Sequence, residues 1–464
     1  MYFSSLLFLF LYLPLVILGY YILPWKCRNL FLLIVNLIFY GWGEPVLILI
    51  MLISIAVNFV CGILIENHRH NERLKKVFLI ISLVVSLGLL GAFKYLGFLT
   101  DILRQLPVFA FLPKIKLALP IGISFYTFQT LSYTVDVYRR EVPAQRSFVA
   151  FGTYVSFFPQ LIAGPIVRYS DVAGQLVGRE ESVSKFASGI RRFSVGLAKK
   201  VLIANQMGLL WDTLRTTPDM GVAGAWVGII AFSLQLYFDF AGYSDMAIGL
   251  GRMFGFEFIE NFNYPYISKS ITEFWRRWHI SLGSWFRDYV YIPMGGNRCK
   301  IPRHIFNLFI VWGLTGLWHG ANFNFVLWGL YYFVLLVLEK YVYGKALEKL
   351  PSFIKHIYAL FFIILGWTLF YFEDFGALTL HLGMMFGQSG FSVGKDALSI
   401  IISYIPLLTV SLLACVPVWR NIYSKIHTKK WSGLIETVLV FAVIIICTAA
   451  LVNDSYNPFL YFRF

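Results

Sequence analysis

A chain of 464 residues could make two or three soluble domains, but 58% of these residues are hydrophobic, 14% are charged and mean hydropathy is +0.71. Soluble chains carry about 25% charged residues, so composition excludes an ordinary soluble protein and predicts an all-α, polytopic integral membrane bundle. The net charge of +15 would suit a nucleic-acid binder, yet membrane proteins gather Lys and Arg in cytoplasmic loops, and no nucleic-acid partner is expected.

In chain order, residues 4–23, 46–65 and 77–99 are almost free of charge. About 20 apolar residues cross a bilayer core of about 30 Å, so these read as spans. Segment 4–23 lacks a basic n-region and a small-residue cleavage site, which makes it a retained span and not a signal peptide. Basic clusters stand at Lys26/Arg28, 68–76, 139–146, 191–200, 298–304, 339–355 and 420–430. Placing each on the cytoplasmic side gives roughly ten to twelve crossings, with both termini outside. Cys27, Cys61, Cys299, Cys415 and Cys447 are scattered without metal-like spacing, so neither a disulfide nor a metal site is expected.

Residues 119–137 and 157–168 are apolar but carry Pro120, Gly122, Pro159, Gly164 and Pro165. Broken helices at membrane depth survive when buried in protein or lining a wet cavity. Asp136, Asp239 and Asp245 lie in or beside this material. Each is either a functional carboxylate or the partner of a nearby Arg or helix end. No half of the chain repeats in the other, which disfavours a transporter of inverted repeats.

From Tyr264 the character changes. Ser270-Ile-Thr-Glu273 looks like a capping box, the Glu reaching back to the Ser backbone. Trp275, Trp278, Leu282, Trp285, Phe286 and Tyr289 recur at three- and four-residue steps, which predicts one amphipathic or re-entrant helix ending before Pro293. Arg276 and Arg277 either hold an anionic donor by its phosphates or anchor the helix at the interface. His279 is either functional or an interfacial histidine bonded to a carbonyl. A helix over 305–318 climbs roughly 21 Å at 1.5 Å per residue and delivers His319 among apolar residues. Burial favours its neutral form, as a general base requires; the alternative is a polar tie between helices. Gly313, Gly316 and Gly320 are spaced for close approach to the apolar segment 323–338. Residues 397–418 and 434–452 complete the spans. The chain thus reads as one membrane domain over 1–464, with N-terminal helices in 1–118, a motif-bearing core in 119–343, and C-terminal helices with an extracellular aromatic tail in 344–464.

Trp275-Arg-Arg-Trp278-His279-Ile-Ser, Arg287-Asp-Tyr-Val-Tyr-Ile-Pro293 and Gly316-Leu-Trp-His319-Gly-Ala-Asn322 resemble the signature stretches of the membrane-bound O-acyltransferase superfamily. Pro120-Ile-Gly-Ile-Ser-Phe-Tyr126, Pro159-Gln-Leu-Ile-Ala-Gly-Pro165, Phe238-Asp-Phe-Ala-Gly-Tyr-Ser-Asp245 and Glu260-Asn-Phe-Asn-Tyr-Pro-Tyr266 resemble its bacterial branch of alginate O-acetylation and teichoic acid D-alanylation. The alginate type is the nearer likeness, and the resemblance runs over nearly the whole chain.

The resemblance implies the fold of that superfamily in a bacterial cytoplasmic membrane. It places the essential histidine at His319 and the second histidine position at His279. Trp318, Asn322, Arg276 and Arg277 become substrate-binding candidates, Asn322 one turn on from His319 as an orienter or oxyanion donor. The implied reaction takes an acyl group, acetyl above all, from acetyl-CoA or an acyl carrier thioester and passes it to an exported polysaccharide or cell-wall glycan. No tightly bound cofactor is implied; an extracytoplasmic serine hydrolase-like acetyltransferase partner is. The tail Pro458-Phe-Leu-Tyr461-Phe-Arg-Phe464 resembles the aromatic C-terminal motif of the branch, so Tyr461 is either an acyl relay or an interfacial anchor. The competing functions are D-alanyl transfer to teichoic acid and non-enzymatic transport of a lipid-linked sugar.

Overall fold

The computed structural model describes residues 1–388, 390, 394–426, 431–453 and 456–460. They form helices and connecting loops, with no strand among the described residues. The chain divides into two compact units, one of Met1–Phe193 with Ser244–Ile259, the other of Ser194–Tyr243 with Glu260–Phe464.

In the first unit, α1 (Ile48–Asn67), α2 (Glu72–Leu103) and α3 (Ile123–Arg139) pack together. Lipid tails are as apolar as leucine, so polar bridges and close packing must select helix partners. Asn58 donates to Ser86 Oγ at 3.0 Å and accepts from Ser82 Oγ at 2.6 Å, which lies 2.9 Å from Thr134 Oγ1. The break before α3 is explained by Gly122, which caps the helix in the left-handed region at φ +75°. A Cβ there would stand 2.5 Å from the Leu161 carbonyl oxygen. Asp245 pairs with Arg192 at 2.6 Å, the structural alternative for that carboxylate.

Helix α4 (Val183–Ala198) runs from the first unit into the second, then through a π-helical stretch, Lys199–Ala204, into α5 (Asn205–Thr216). Helix α6 (Gly221–Met253) returns to the first unit after Tyr243. The remaining helices of the second unit are the short α7 (Ile271–Arg277) and α8 (Ile280–Phe286), then α9 (Ile301–His319), α10 (Phe323–Glu348), α11 (Ser352–Tyr371), α12 (Lys395–Ala414) and α13 (Ser432–Asn453). Among the described residues, seven helices are long and apolar enough to cross a membrane: α1, α2, α6, α10, α11, α12 and α13. Ten to twelve crossings were expected; the expected span at 4–23 forms the shorter apolar helix Phe8–Ile22, and part of the broken middle forms short helices such as Phe148–Ser156. Only 6% of the most apolar window of α13 is buried, against 67% for α6, which explains why α6 tolerates Asp239 and Asp245.

Two sequence expectations change here. The cluster at 191–200 lies in helix and not in a loop, with Arg192 paired to Asp245 and Lys200 buried 2.7 Å from Asp239. Charges neutralised inside helices carry no orientation signal, so charge counting does not apply to this cluster. The long amphipathic helix is instead two helices, broken at Trp278–His279. Its capping box is also rearranged. Ser270 Oγ accepts from Glu273 N at 3.0 Å, but Glu273 takes the Lys269 N–H. Glu339, buried on α10, accepts the Ile271 and Thr272 N–H groups at 2.8 and 2.9 Å, satisfying the donors a helix start leaves open.

Candidate active site

Helices α9 and α10 form an antiparallel hairpin whose closest approach is at Gly316 and Gly329. A Cβ on Gly316 would stand 2.4 Å from the Phe325 carbonyl oxygen, and one on Gly329 2.4 Å from that of Trp312. Of the expected small-residue face, Gly316 makes the backbone crossing and Gly313 faces open space. This crossing sets the place of His319, the last residue of α9. Its imidazole is buried, with ring centroids of Trp318, Trp328 and Phe370 at 4.9, 5.0 and 5.3 Å. Behind it Trp275 meets Trp312, Tyr332 and Trp328 edge to face at 4.7, 4.8 and 5.5 Å. Such a cage surrounds the ring with large apolar faces.

His279 reaches the same cage from the break between α7 and α8. Its backbone is left-handed at φ +46° and ψ +54°, a conformation few residues other than glycine adopt without support. Asn261 supplies that support. Its carbonyl oxygen accepts Ile280 N at 2.9 Å, and its side-chain Oδ1 accepts Ser281 Oγ at 2.9 Å. The same Oδ1 lies 3.0 Å from His279 Nδ1. Because Oδ1 can only accept, Nδ1 carries the proton and Nε2 is the basic nitrogen. The His279 ring stands 4.7 Å from Phe240 and 5.7 Å from Trp318. Trp318 therefore touches both histidines. Burial pushes the His279 imidazole well below the ordinary histidine value, and His319 adds to that depression.

Four other candidates fall differently. Asn322 donates to Glu373 Oε2 at 3.3 Å and not to His319, because α9 stops at His319 and the backbone is extended at Gly320 and Asn322. It is therefore not one turn on from the histidine, and the expected orienting contact is absent. Arg277 is engaged by Glu273 at 2.9 Å and by the Asn263 carbonyl at 3.1 Å, whereas Arg276 is exposed. Tyr461 lies outside the described residues.

Sequence reasoning missed several parts. Asn261 stood inside a recognised stretch, but nothing in its spacing marked it as the bracket of His279. Buried Asn324 donates to the Phe370 carbonyl at 3.0 Å and so fixes a wall of the His319 cage. A cavity of about 350 Å³ is lined by Arg215, Phe232, Tyr371, Glu373, Asp374 and Leu460, among others. Glu373 holds Asn322, three residues past His319, and Tyr371 follows Phe370, which packs on the His319 ring. One side of the cavity is thus built from the same chain segments as the histidine cage, though its lining contains neither histidine. Among the described residues no three His, Cys, Asp or Glu side chains gather where a metal could bind.

Comparison with known proteins matches this arrangement to one family. The sequence pattern described as MBOAT, membrane-bound O-acyltransferase family, fits residues 34–375. The chain is 42% identical over 402 residues to a protein of Pseudomonas aeruginosa named probable alginate O-acetylase AlgI, covering 86% of this chain and 76% of the relative. It is 34% identical over 428 residues to the peptidoglycan O-acetyltransferase of Helicobacter pylori, covering 84% and 81%. The teichoic acid D-alanyltransferase of Bacillus subtilis is 30% identical over 251 residues, covering 50% and 62%.

Proposed function

The chain belongs to the membrane-bound O-acyltransferase family, and on that premise we propose that it takes an acetyl group from acetyl-CoA and passes it across the membrane for O-acetylation of an exported polysaccharide. The observation that carries this reading is the pair of buried histidines, His279 and His319, on either side of Trp318 in an aromatic cage. The relatives matched over most of the chain are named for O-acetylation of alginate and peptidoglycan, while the D-alanyl relative matches half of it. That difference favours acetyl.

In this reading a neutral His319 takes the proton of the acceptor hydroxyl as its oxygen attacks the thioester carbonyl. The carbon–sulfur bond then breaks, and the thiolate recovers a proton from the imidazolium. The dry cage strengthens each electrostatic contact on the way. His279, its proton fixed on Nδ1 by Asn261, presents Nε2 to the same space. The second histidine is held neutral by burial and by its neighbour, so the pair accommodates one charge at a time. Acceptor delivery outside the membrane falls to an extracytoplasmic acetyltransferase partner, and the setting is a bacterial cytoplasmic membrane.

The test is transfer of radiolabelled acetyl from acetyl-CoA in native membrane vesicles carrying the cell's own acceptor. Loss of a general base costs about a hundredfold to ten-thousandfold, so His319→Ala should lower transfer by at least about a hundredfold at equal protein in the membrane. Transfer within about threefold of the parent, well short of what loss of a general base costs, contradicts the assignment.

A further inference from the structure

The second buried ion pair, Lys200 with Asp239, does more than neutralise itself. Both side chains are almost inaccessible, at 3% and 2% exposure, and their charged atoms lie 2.7 Å apart. Each then uses a remaining hydrogen-bonding position on the backbone of the C-terminal segment. Lys200 Nζ donates to the Pro458 carbonyl, and Asp239 Oδ2 accepts the Leu460 N–H at 2.9 Å. A main-chain acceptor and a main-chain donor two residues apart are thus read by one cation and one anion.

Flanking contacts reinforce the grip. Asn205 donates to Asn457 at 3.3 Å, Tyr456 OH donates to Asp212 at 2.7 Å, and the Phe459 ring packs 4.9 Å from that of Tyr243. Lys200 sits in the π-helical stretch between α4 and α5, a local rewinding that proteins often keep at functional positions. Leu460 is buried and lines the cavity of Arg215, Phe232, Tyr371 and Glu373, the last of which holds Asn322.

We propose that Lys200 and Asp239 form an intramolecular docking site for the extended segment Tyr456–Leu460, and that the docked segment is a working wall of that cavity. Lys200 and Asp239 are then positioning residues, acting through the tail. A buried pair of charges is poor value for stability alone, since well-packed apolar replacements are often neutral or better. Retaining it inside a membrane bundle calls for a use, and two specific main-chain bonds supply one.

The same fact provides a clean variant. Removing one partner strands a buried charge and threatens folding, whereas the double substitution Lys200→Met with Asp239→Leu leaves no orphan. A Leu460→Cys probe, labelled with a thiol reagent and quantified at that peptide by mass spectrometry, reports docking in the full-length protein. In the parent the probe should react slowly; in the double variant its rate should rise by about tenfold or more, since two charge-assisted bonds are lost. Acetyl transfer should fall by about tenfold in step, and Lys200→Arg, which keeps the cation, should restore both towards the parent. Unchanged labelling in a folded double variant overturns the docking site. Raised labelling with transfer at the parent level overturns the tail's part in the cavity. Labelling reads docking whether or not His319 performs the chemistry, so failure of this site and failure of the acetyl-transfer reading are distinguishable.

Discussion

The α1–α3 contact of the first unit and the histidine cage of the second are built with different chemistry. In the first, α1, α2 and α3 are joined by small hydroxyl and amide side chains: Asn58, Ser82, Ser86 and Thr134. In the second, the histidines stand in a cage of Trp275, Trp312, Trp318, Trp328 and Phe370. Polar bridges between helices specify a partner at modest energy. Aromatic packing brings large buried area and few donors, and here it encloses both imidazoles. A polar-bridged helix bundle and an aromatic cage thus make opposite use of polarity in one membrane.

That contrast can be broken from either side. The larger effect is expected in the second unit, at Asn261. Asn261→Ala removes the acceptor of His279 Nδ1 and of Ser281, releasing both the tautomer and the strained turn. Loss of such an orienting partner costs about tenfold to a hundredfold in activity, so transfer in vesicles should fall by about that factor with protein level maintained. Transfer equal to the parent would show that the tautomer of His279 is irrelevant. The smaller effect is expected in the first unit. Asn58→Leu deletes two interhelical bonds and should cost about 1–2 kcal/mol of stability, read by denaturant titration of the purified protein. Transfer per folded molecule should stay unchanged; a loss of transfer there would erase the distinction between scaffold and chamber.

How much of this was legible beforehand depended on the range of the signal. Continuous apolar runs such as 46–65 and 434–452 announce themselves through hydropathy, the first overlapping the helix Ile48–Asn67 and the second lying within Ser432–Asn453. The burial of His319 at a helix end was legible because the apolar run before it is local. The break at His279 was not, since a left-handed turn at a residue other than glycine leaves no mark in composition. Asn322 was placed one turn on from His319, whereas the backbone is extended at Gly320 and Asn322 and the side chain bonds Glu373, a partner 51 residues away. Lys200 read as one more basic residue in a cluster because its partner, Asp239, lies on another helix, a pairing only the fold reveals. The polar bridge from Asn58 to Thr134 escaped notice for the same reason.

The central claim is that His279 and His319 work as one unit within a single cage, and a double-mutant cycle tests it most directly. Acetyl transfer is measured for the parent, His279→Ala, His319→Ala and the double variant, each normalised to folded protein. Groups that act together are strongly non-additive, so the double variant should lose about as much as His319→Ala alone. Losses that multiply, with the double variant lower by the product of the two single factors, would show two independent sites and contradict the account.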